Sequence, residues 1–101
     1  MTTDTPSTQE FRVPRRELGT TGLQVSALAL GSWHTYDRMD FRDSVQLLRE
    51  AVDAGINFFD VGVYGFPGSD MPPVFTDVIF SAMVRGAGLK RDDYLLASKL
   101  W

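Results

Sequence analysis

The sequence of 101 residues contains no cysteine and a single histidine. A disulfide framework and thiolate chemistry are therefore excluded, and one histidine cannot build a histidine-rich metal site. No apolar run approaches the roughly 20 residues that a membrane span needs, and the polar opening MTTDTPSTQEFRVPRR has no signal-peptide core. We therefore expect a cytoplasmic protein without a metal centre and without a membrane partner.

A strong charge of either sign is also absent. The formal net charge is −3, which argues against a nucleic-acid partner, and we interpret the basic cluster of Arg12, Arg15 and Arg16 as solvated. The composition is 44% hydrophobic and 23% charged, as in ordinary globular proteins, and the length allows at most one small domain.

Local patterns predict alternating strands and helices. Residues 1–14, rich in Thr, Ser and Pro, predict a flexible lead-in, and RRELGTTGLQVS then predicts a hairpin. Short apolar strands are predicted at SALALG, INFFDV and DYLLASKLW. Helices are predicted at DFRDSVQLLREAVDAG, capped by Asp40 or Asp43, and at TDVIFSAMVRGAG, capped by Thr76.

This order predicts an α/β fold with a parallel sheet, and two architectures fit it: a doubly wound sheet or a (β/α) barrel. A dinucleotide-binding sheet typically has the motif G-x-G-x-x-G after its first strand. The segment LALGSWHTYD has a single glycine at this place, so the sequence favours the barrel. Barrel chemistry lies at the carboxyl ends of the strands. Asp60 ends the second strand, Tyr64 follows it, and Lys99 ends the third.

The segments RRELGTTGLQVSALALGSW, GINFFDVGVYG and LLASKLW resemble the opening of the aldo-keto reductase superfamily, from about Arg16 to the last residue. The resemblance implies a (β/α)₈ TIM barrel, of which residues 15–101 would carry the amino-terminal hairpin, about three strands and two helices. It also implies an NADP(H)-dependent oxidoreductase that reduces aldehydes or ketones to alcohols by hydride transfer, with a small carbonyl compound as substrate.

Of the family's catalytic Asp, Tyr, Lys and His, the resemblance assigns the first three to Asp60, Tyr64 and Lys99. The tetrad histidine follows a later strand in the family, so His34 is interpreted as a loop residue. Tyr64 would give a proton to the carbonyl oxygen. A nearby ammonium stabilises a phenolate, which is the role expected for Lys99, and Asp60 would hold that ammonium in place.

The resemblance also implies binding residues. Gly31, Ser32, Trp33 and Asp60 are expected to contact the cofactor. Trp33 and Trp101 are expected to be walls of the substrate pocket, with plain packing as an equal alternative.

Asp60 and Tyr64 are four positions apart, where the family pattern has five. We predict that Gly62 compensates with a positive φ, and that the Tyr64 hydroxyl lies within about 4 Å of the Lys99 ammonium.

Three of eight strands would leave an open sheet edge, through which self-association is expected. The sequence is compatible with three origins: a fragment of a reductase, a truncated gene product, or a natural small protein with a partner. We expect the 101 residues alone to be inactive. The alternative function is a non-catalytic interaction or assembly module that retains the half-barrel.

Overall fold

The computed structural model describes residues 11–65, 68 and 70–99. Six short strands and two α-helices follow one another in these residues: β1 (Arg15–Glu17), β2 (Gln24–Ser26), α1 (Phe41–Asp53), β3 (Phe58–Asp60), β4 (Val63–Tyr64), β5 (Val74–Phe75), α2 (Thr76–Ala87) and β6 (Leu95–Ala97). Two single 3₁₀ turns lie at Tyr36–Arg38 and Arg91–Asp93. No helix in the described part of the chain has the length and apolar character needed to cross a membrane.

The predicted hairpin is confirmed. Strands β1 and β2 pair antiparallel, with Arg15 opposite Ser26, and Gly19 and Gly22 in the turn have positive φ, as tight turns require. Of the predicted lead-in, residues 1–10 lie outside the described residues. Val13 is buried, and its N–H donates to the carbonyl of Ala54 at 2.8 Å.

Parallel pairing around β3 forms the centre of the fold. Strand β6 pairs parallel with β3, and Asp60 lies opposite Ala97. On the other side of β3, the predicted strand SALALG is reduced to one parallel bridge between Leu30 and Phe59. The Leu30 N–H and C=O exchange hydrogen bonds with β3 at 3.0 and 3.1 Å, so the expected neighbour is present although it is too short for a strand.

Both predicted helices form, and they pack on each other. Asp40 caps α1, since its carboxylate accepts from the Arg42 N–H at 2.9 Å. Gly86 lets the helices approach closely, because a Cβ there would lie 3.0 Å from Val45. The buried core joins the helices to β3: Tyr36, Val45, Leu48, Ala51, Phe59, Val61, Phe80, Met83 and Val84.

The prediction of Thr76 as the cap of α2 was wrong. Phe75 occupies the cap position, and no side chain caps the helix. The Thr76 hydroxyl bonds to the backbone of Gly62 instead. The sequence pattern also missed the small antiparallel ribbon of β4 and β5, in which Tyr64 is opposite Val74.

Candidate active site

The structure brings Asp60, Tyr64 and Lys99 together at the carboxyl end of the parallel strands. The Lys99 ammonium donates to both carboxylate oxygens of Asp60, at 3.1 and 3.0 Å, and to the Tyr64 hydroxyl at 3.1 Å. Strand register explains the first contact. Asp60 lies opposite Ala97, and Lys99 is two residues further along, so an extended chain places both side chains on one face.

The cluster is half-exposed and electrostatically coupled. The side chains of Lys99 and Asp60 keep 36% and 42% of their accessible surface, so a ligand can reach them. The hydrogen bonds to Tyr64 and then to Asp60 raise the pKa of Lys99 above its ordinary value of 10.5. Lys99 is therefore a cation at all physiological pH values, and its charge lies beside the phenol oxygen.

The predicted distance between Tyr64 and Lys99 is confirmed, but the prediction for Gly62 was wrong. Gly62 does not have a positive φ. The positive φ, +81°, belongs to Gly65, where a Cβ would lie 2.9 Å from the carbonyl oxygen of Pro72. The short spacing is accommodated because the chain pairs with β5 at Tyr64 and turns immediately after it.

Two buried hydroxyl groups, those of Ser32 and Thr76, extend the hydrogen-bond network from Tyr64. The Ser32 hydroxyl is 3.4 Å from the Tyr64 hydroxyl and 2.8 Å from that of Thr76. Ser32 is 1% exposed and Thr76 is fully buried. The family resemblance predicts Ser32 as a site residue. The sequence pattern predicts Thr76 only as a helix cap.

Trp33 lies beside the cluster as an exposed aromatic surface. The residue is 59% exposed, and its ring stacks near the ring of Tyr64, with centroids 6.1 Å apart and planes 18° apart. His34, in a loop with φ of 56°, stacks against Trp33 with ring centroids 4.5 Å apart. Gly31, which precedes this pair, is exposed, and nothing lies within 4 Å of a Cβ placed there. Trp101 lies outside the described residues.

Tyr36 is a further polar group near the site that the sequence did not single out. It is 2% exposed, and its hydroxyl has no hydrogen-bond partner among the described residues. Burial raises the pKa of Tyr36 well above the ordinary range, and electrostatic interactions with Asp60 and with Tyr64 add to the rise. The Tyr36 hydroxyl therefore stays protonated.

Comparisons with known proteins give a consistent result, although no family model matches the chain. It is 31% identical over 103 residues to the "Putative voltage-gated potassium channel subunit beta" of Schizosaccharomyces pombe, covering 100% of this chain and 28% of that protein. It is 43% identical over 56 residues to the 6-dehydroglucose reductase of Novosphingobium aromaticivorans, covering 54% of this chain and 18% of the enzyme.

A solved structure described as a "Putative aldo-keto reductase" from Pseudomonas aeruginosa superposes with a TM-score of 0.71 at 29% identity, covering 95% of this chain and 35% of that one. These matches confirm the barrel over the doubly wound sheet as the fold class. The chain belongs to the aldo-keto reductase superfamily and corresponds to an amino-terminal segment of its members. It spans about a third or less of the length of these proteins, and its described residues form an open α/β piece of the barrel.

Proposed function

We propose that these residues belong to an NADP(H)-dependent reductase of aldehydes or ketones, with Tyr64 as the proton donor. The observation that carries this proposal is the position of the Lys99 ammonium, 3.1 Å from the phenol oxygen and paired with Asp60. A carbonyl oxygen gains negative charge as its carbon is reduced, and a phenol beside a fixed cation is a suitable donor to it.

Tyr64, Lys99 and Asp60 each have a different role in the proposed reaction. In reduction, Tyr64 gives its proton to the substrate oxygen, and the phenolate that remains is stabilised by Lys99. In the reverse direction the phenolate removes the alcohol proton. Asp60 accepts two hydrogen bonds from the ammonium, so it fixes the direction in which that cation points.

The residues beside this cluster fit the nicotinamide end of the cofactor. Trp33 offers an exposed aromatic face, and Asp60 offers a half-exposed carboxylate that can accept from a ribose hydroxyl. We assign the cofactor contacts to Gly31, Trp33 and Asp60, and to the main chain of Ser32, because the Ser32 hydroxyl is engaged with Thr76. When bound, the cofactor supplies the hydride. We also propose Trp33 as a wall of the substrate pocket, which its exposed side chain supports.

The test is an assay of the complete product of the reading frame that encodes these residues. We expect NADPH to be consumed in the presence of an aromatic aldehyde such as 4-nitrobenzaldehyde. Tyr64→Phe should lower the rate by roughly 10²-fold or more with little change in NADPH affinity. The matched control is Tyr94→Phe, which removes the hydroxyl of a tyrosine outside the site. Equal activity of Tyr64→Phe and the wild-type protein would contradict the proposed role.

A second candidate function is an interaction or assembly module. It is favoured by the outer edge of β6, on which no strand pairs among the described residues, and by Leu96 there, which is 39% exposed. Concentration-dependent self-association that Leu96→Lys abolishes, together with no NADPH consumption by the complete product, would favour the module over the reductase.

A further inference from the structure

Thr76 is bound to Gly62 through three hydrogen bonds. The Thr76 hydroxyl donates to the Gly62 carbonyl at 2.8 Å and accepts from the Gly62 N–H at 3.0 Å. The Thr76 N–H donates to the same carbonyl at 3.0 Å. These contacts fix the first residue of α2 against the loop between β3 and β4, and all of them are buried.

This arrangement determines where the neighbouring hydroxyl protons point. Thr76 has one hydroxyl proton, and the Gly62 carbonyl takes it. The 2.8 Å contact between Ser32 and Thr76 must therefore use the proton of Ser32. Ser32 then faces Tyr64 only with lone pairs, so in their 3.4 Å contact Tyr64 is the donor. The Tyr64 oxygen accepts from Lys99 on its other side.

We propose that Thr76 is a positioning residue of the candidate active site, which acts through Ser32 to orient the hydroxyl proton of Tyr64. The proposal rests on the proposed function, in which Tyr64 is the proton donor. The chain of donors runs from Lys99 through Tyr64, Ser32 and Thr76 to the backbone. Each hydroxyl in it donates one hydrogen bond. The oxygens of Tyr64 and Ser32 accept one each, and that of Thr76 accepts two, from Ser32 and from the Gly62 N–H, so the orientation of every proton is set.

The chain orients a proton and does not conduct one. It ends at a backbone carbonyl, which accepts a hydrogen bond but has no proton to pass on. The contact between Tyr64 and Ser32, 3.4 Å long, exceeds the usual O–H···O distance of about 2.5 to 3.0 Å. The phenol can therefore release Ser32 when a substrate oxygen arrives. The proton then moves from Tyr64 to that oxygen as hydride addition gives it negative charge, and the phenolate stays beside Lys99.

Two substitutions separate the hydroxyl of Thr76 from its methyl group. Thr76→Val keeps the shape and loses the hydroxyl, whereas Thr76→Ser keeps the hydroxyl and loses the methyl group. With carbon-13 at tyrosine Cζ, the Tyr64 resonance of the 101-residue chain, assigned by its loss in Tyr64→Phe, reports hydrogen bonding at the phenol oxygen. We expect this resonance to shift in Thr76→Val and to keep its wild-type position in Thr76→Ser.

Ser32→Ala is the second variant, because Thr76→Val leaves the buried Gly62 N–H without its acceptor and can disturb folding. Ser32→Ala retains the contacts between Thr76 and Gly62 and removes the acceptor of Tyr64, so the Tyr64 resonance should shift in it as well. The proposal would be overturned if the Tyr64 resonance were unchanged in folded Thr76→Val and in folded Ser32→Ala. An equal shift in Thr76→Ser and Thr76→Val would also overturn it, since packing would then be the cause.

Kinetics of the complete product supply the second readout. Thr76→Val should lower kcat about tenfold to a hundredfold, as expected for a misplaced catalytic group, with KM within about twofold of the wild-type value, and Thr76→Ser should restore kcat. A loss confined to KM would overturn the proposal. If the resonances shift as expected and the wild-type product consumes no NADPH with any aldehyde, the proposed function fails while the orientation of Tyr64 stands.

Discussion

Replacing Lys99 by methionine removes the cation beside the phenol oxygen and keeps a side chain of similar length. The ammonium lies 3.1 Å from that oxygen. Coulomb's law at this distance gives a stabilisation of the phenolate of about 1.3 kcal/mol in a fully aqueous medium and about 5 kcal/mol at an effective dielectric constant of about 20. Since about 1.4 kcal/mol is a factor of ten in rate, these limits correspond to roughly tenfold and several-thousandfold.

Two features of the site place the expected loss inside that range. Lys99 keeps 36% of its side-chain surface, so water screens part of its charge. The negative charge of the Asp60 carboxylate, 3.0 Å from the same ammonium, offsets a further part of the stabilisation that Lys99 gives to the phenolate. We therefore expect Lys99→Met to lower kcat for aldehyde reduction by about 10²-fold, within the range for loss of a general acid's support.

The assay compares NADPH consumption by the complete product with and without the substitution. The chain's other lysine, Lys90, is exposed and lies outside the cluster, so Lys90→Met is the matched control and should keep the wild-type rate. A folded Lys99→Met protein whose kcat falls less than about threefold would refute the assignment of Lys99 as the cation that supports Tyr64.

Further predictions concern the isolated chain. Tyr64→Phe should lower the pKa of Lys99, because the hydrogen bond to Tyr64 is the main cause of its rise; carbon-13 titration of Lys99 Cε measures this, and an unchanged value would contradict it. Because the pKa of Lys99 is raised in the folded state, its contribution to the free energy of unfolding is full below pH 10.5, the ordinary value, and is lost as the pH rises through the folded value. Tyr64→Phe should narrow the pH range over which this contribution is lost. Asn57→Leu should lower the free energy of unfolding in urea by roughly 2 to 5 kcal/mol, because two backbone groups of the hairpin lose buried partners; a loss below about 0.5 kcal/mol would count against this. Gly65→Ala should destabilise more than Gly22→Ala, since both have φ near +80° and only Gly65 would bring a Cβ to 2.9 Å from a carbonyl oxygen; equal urea midpoints would contradict the clash.

The parts of the fold that could be predicted are those set by local chemistry. The turn glycines Gly19 and Gly22 determined the hairpin, and Asp40 determined the start of α1. The parallel pairing of β3 and β6 followed from apolar runs separated by a helix, the pattern of a strand–helix–strand unit. The signals for the hairpin and for the start of α1 lie within a few residues of the structure that they specify, whereas the pairing of β3 and β6 follows from the order of the elements.

The parts that were missed depend on contacts between distant segments. The sequence predicts that Gly62 adjusts the short spacing, but the ribbon of β4 and β5, formed by residues ten and twelve positions apart, fixes Tyr64 and leaves the positive φ to Gly65. Thr76 stands where a cap is expected, and its hydroxyl has two possible partners: its own helix or the loop at Gly62. The hydroxyl bonds to the loop, because the N–H and C=O of Gly62 are buried and need hydrogen-bond partners, which Thr76 supplies.

The geometry of the candidate site depends on contacts between segments that are distant in the chain, from Ser32 to Lys99. Lys99 reaches Asp60 because β3 and β6 are adjacent and in register, and it reaches Tyr64 because the ribbon returns the chain to the same edge. Ser32, from the segment that flanks β3 on its other side, contacts the phenol through its hydroxyl at 3.4 Å. The segment of Ser32, strands β3 and β6, the ribbon of β4 and β5 and the first residue of α2 thus place the phenol, its cation and the counter-ion together. Activity should therefore be far more sensitive to changes at these contacts than to changes on the exposed faces of α1 and α2, where substitutions disturb neither the register nor the ribbon.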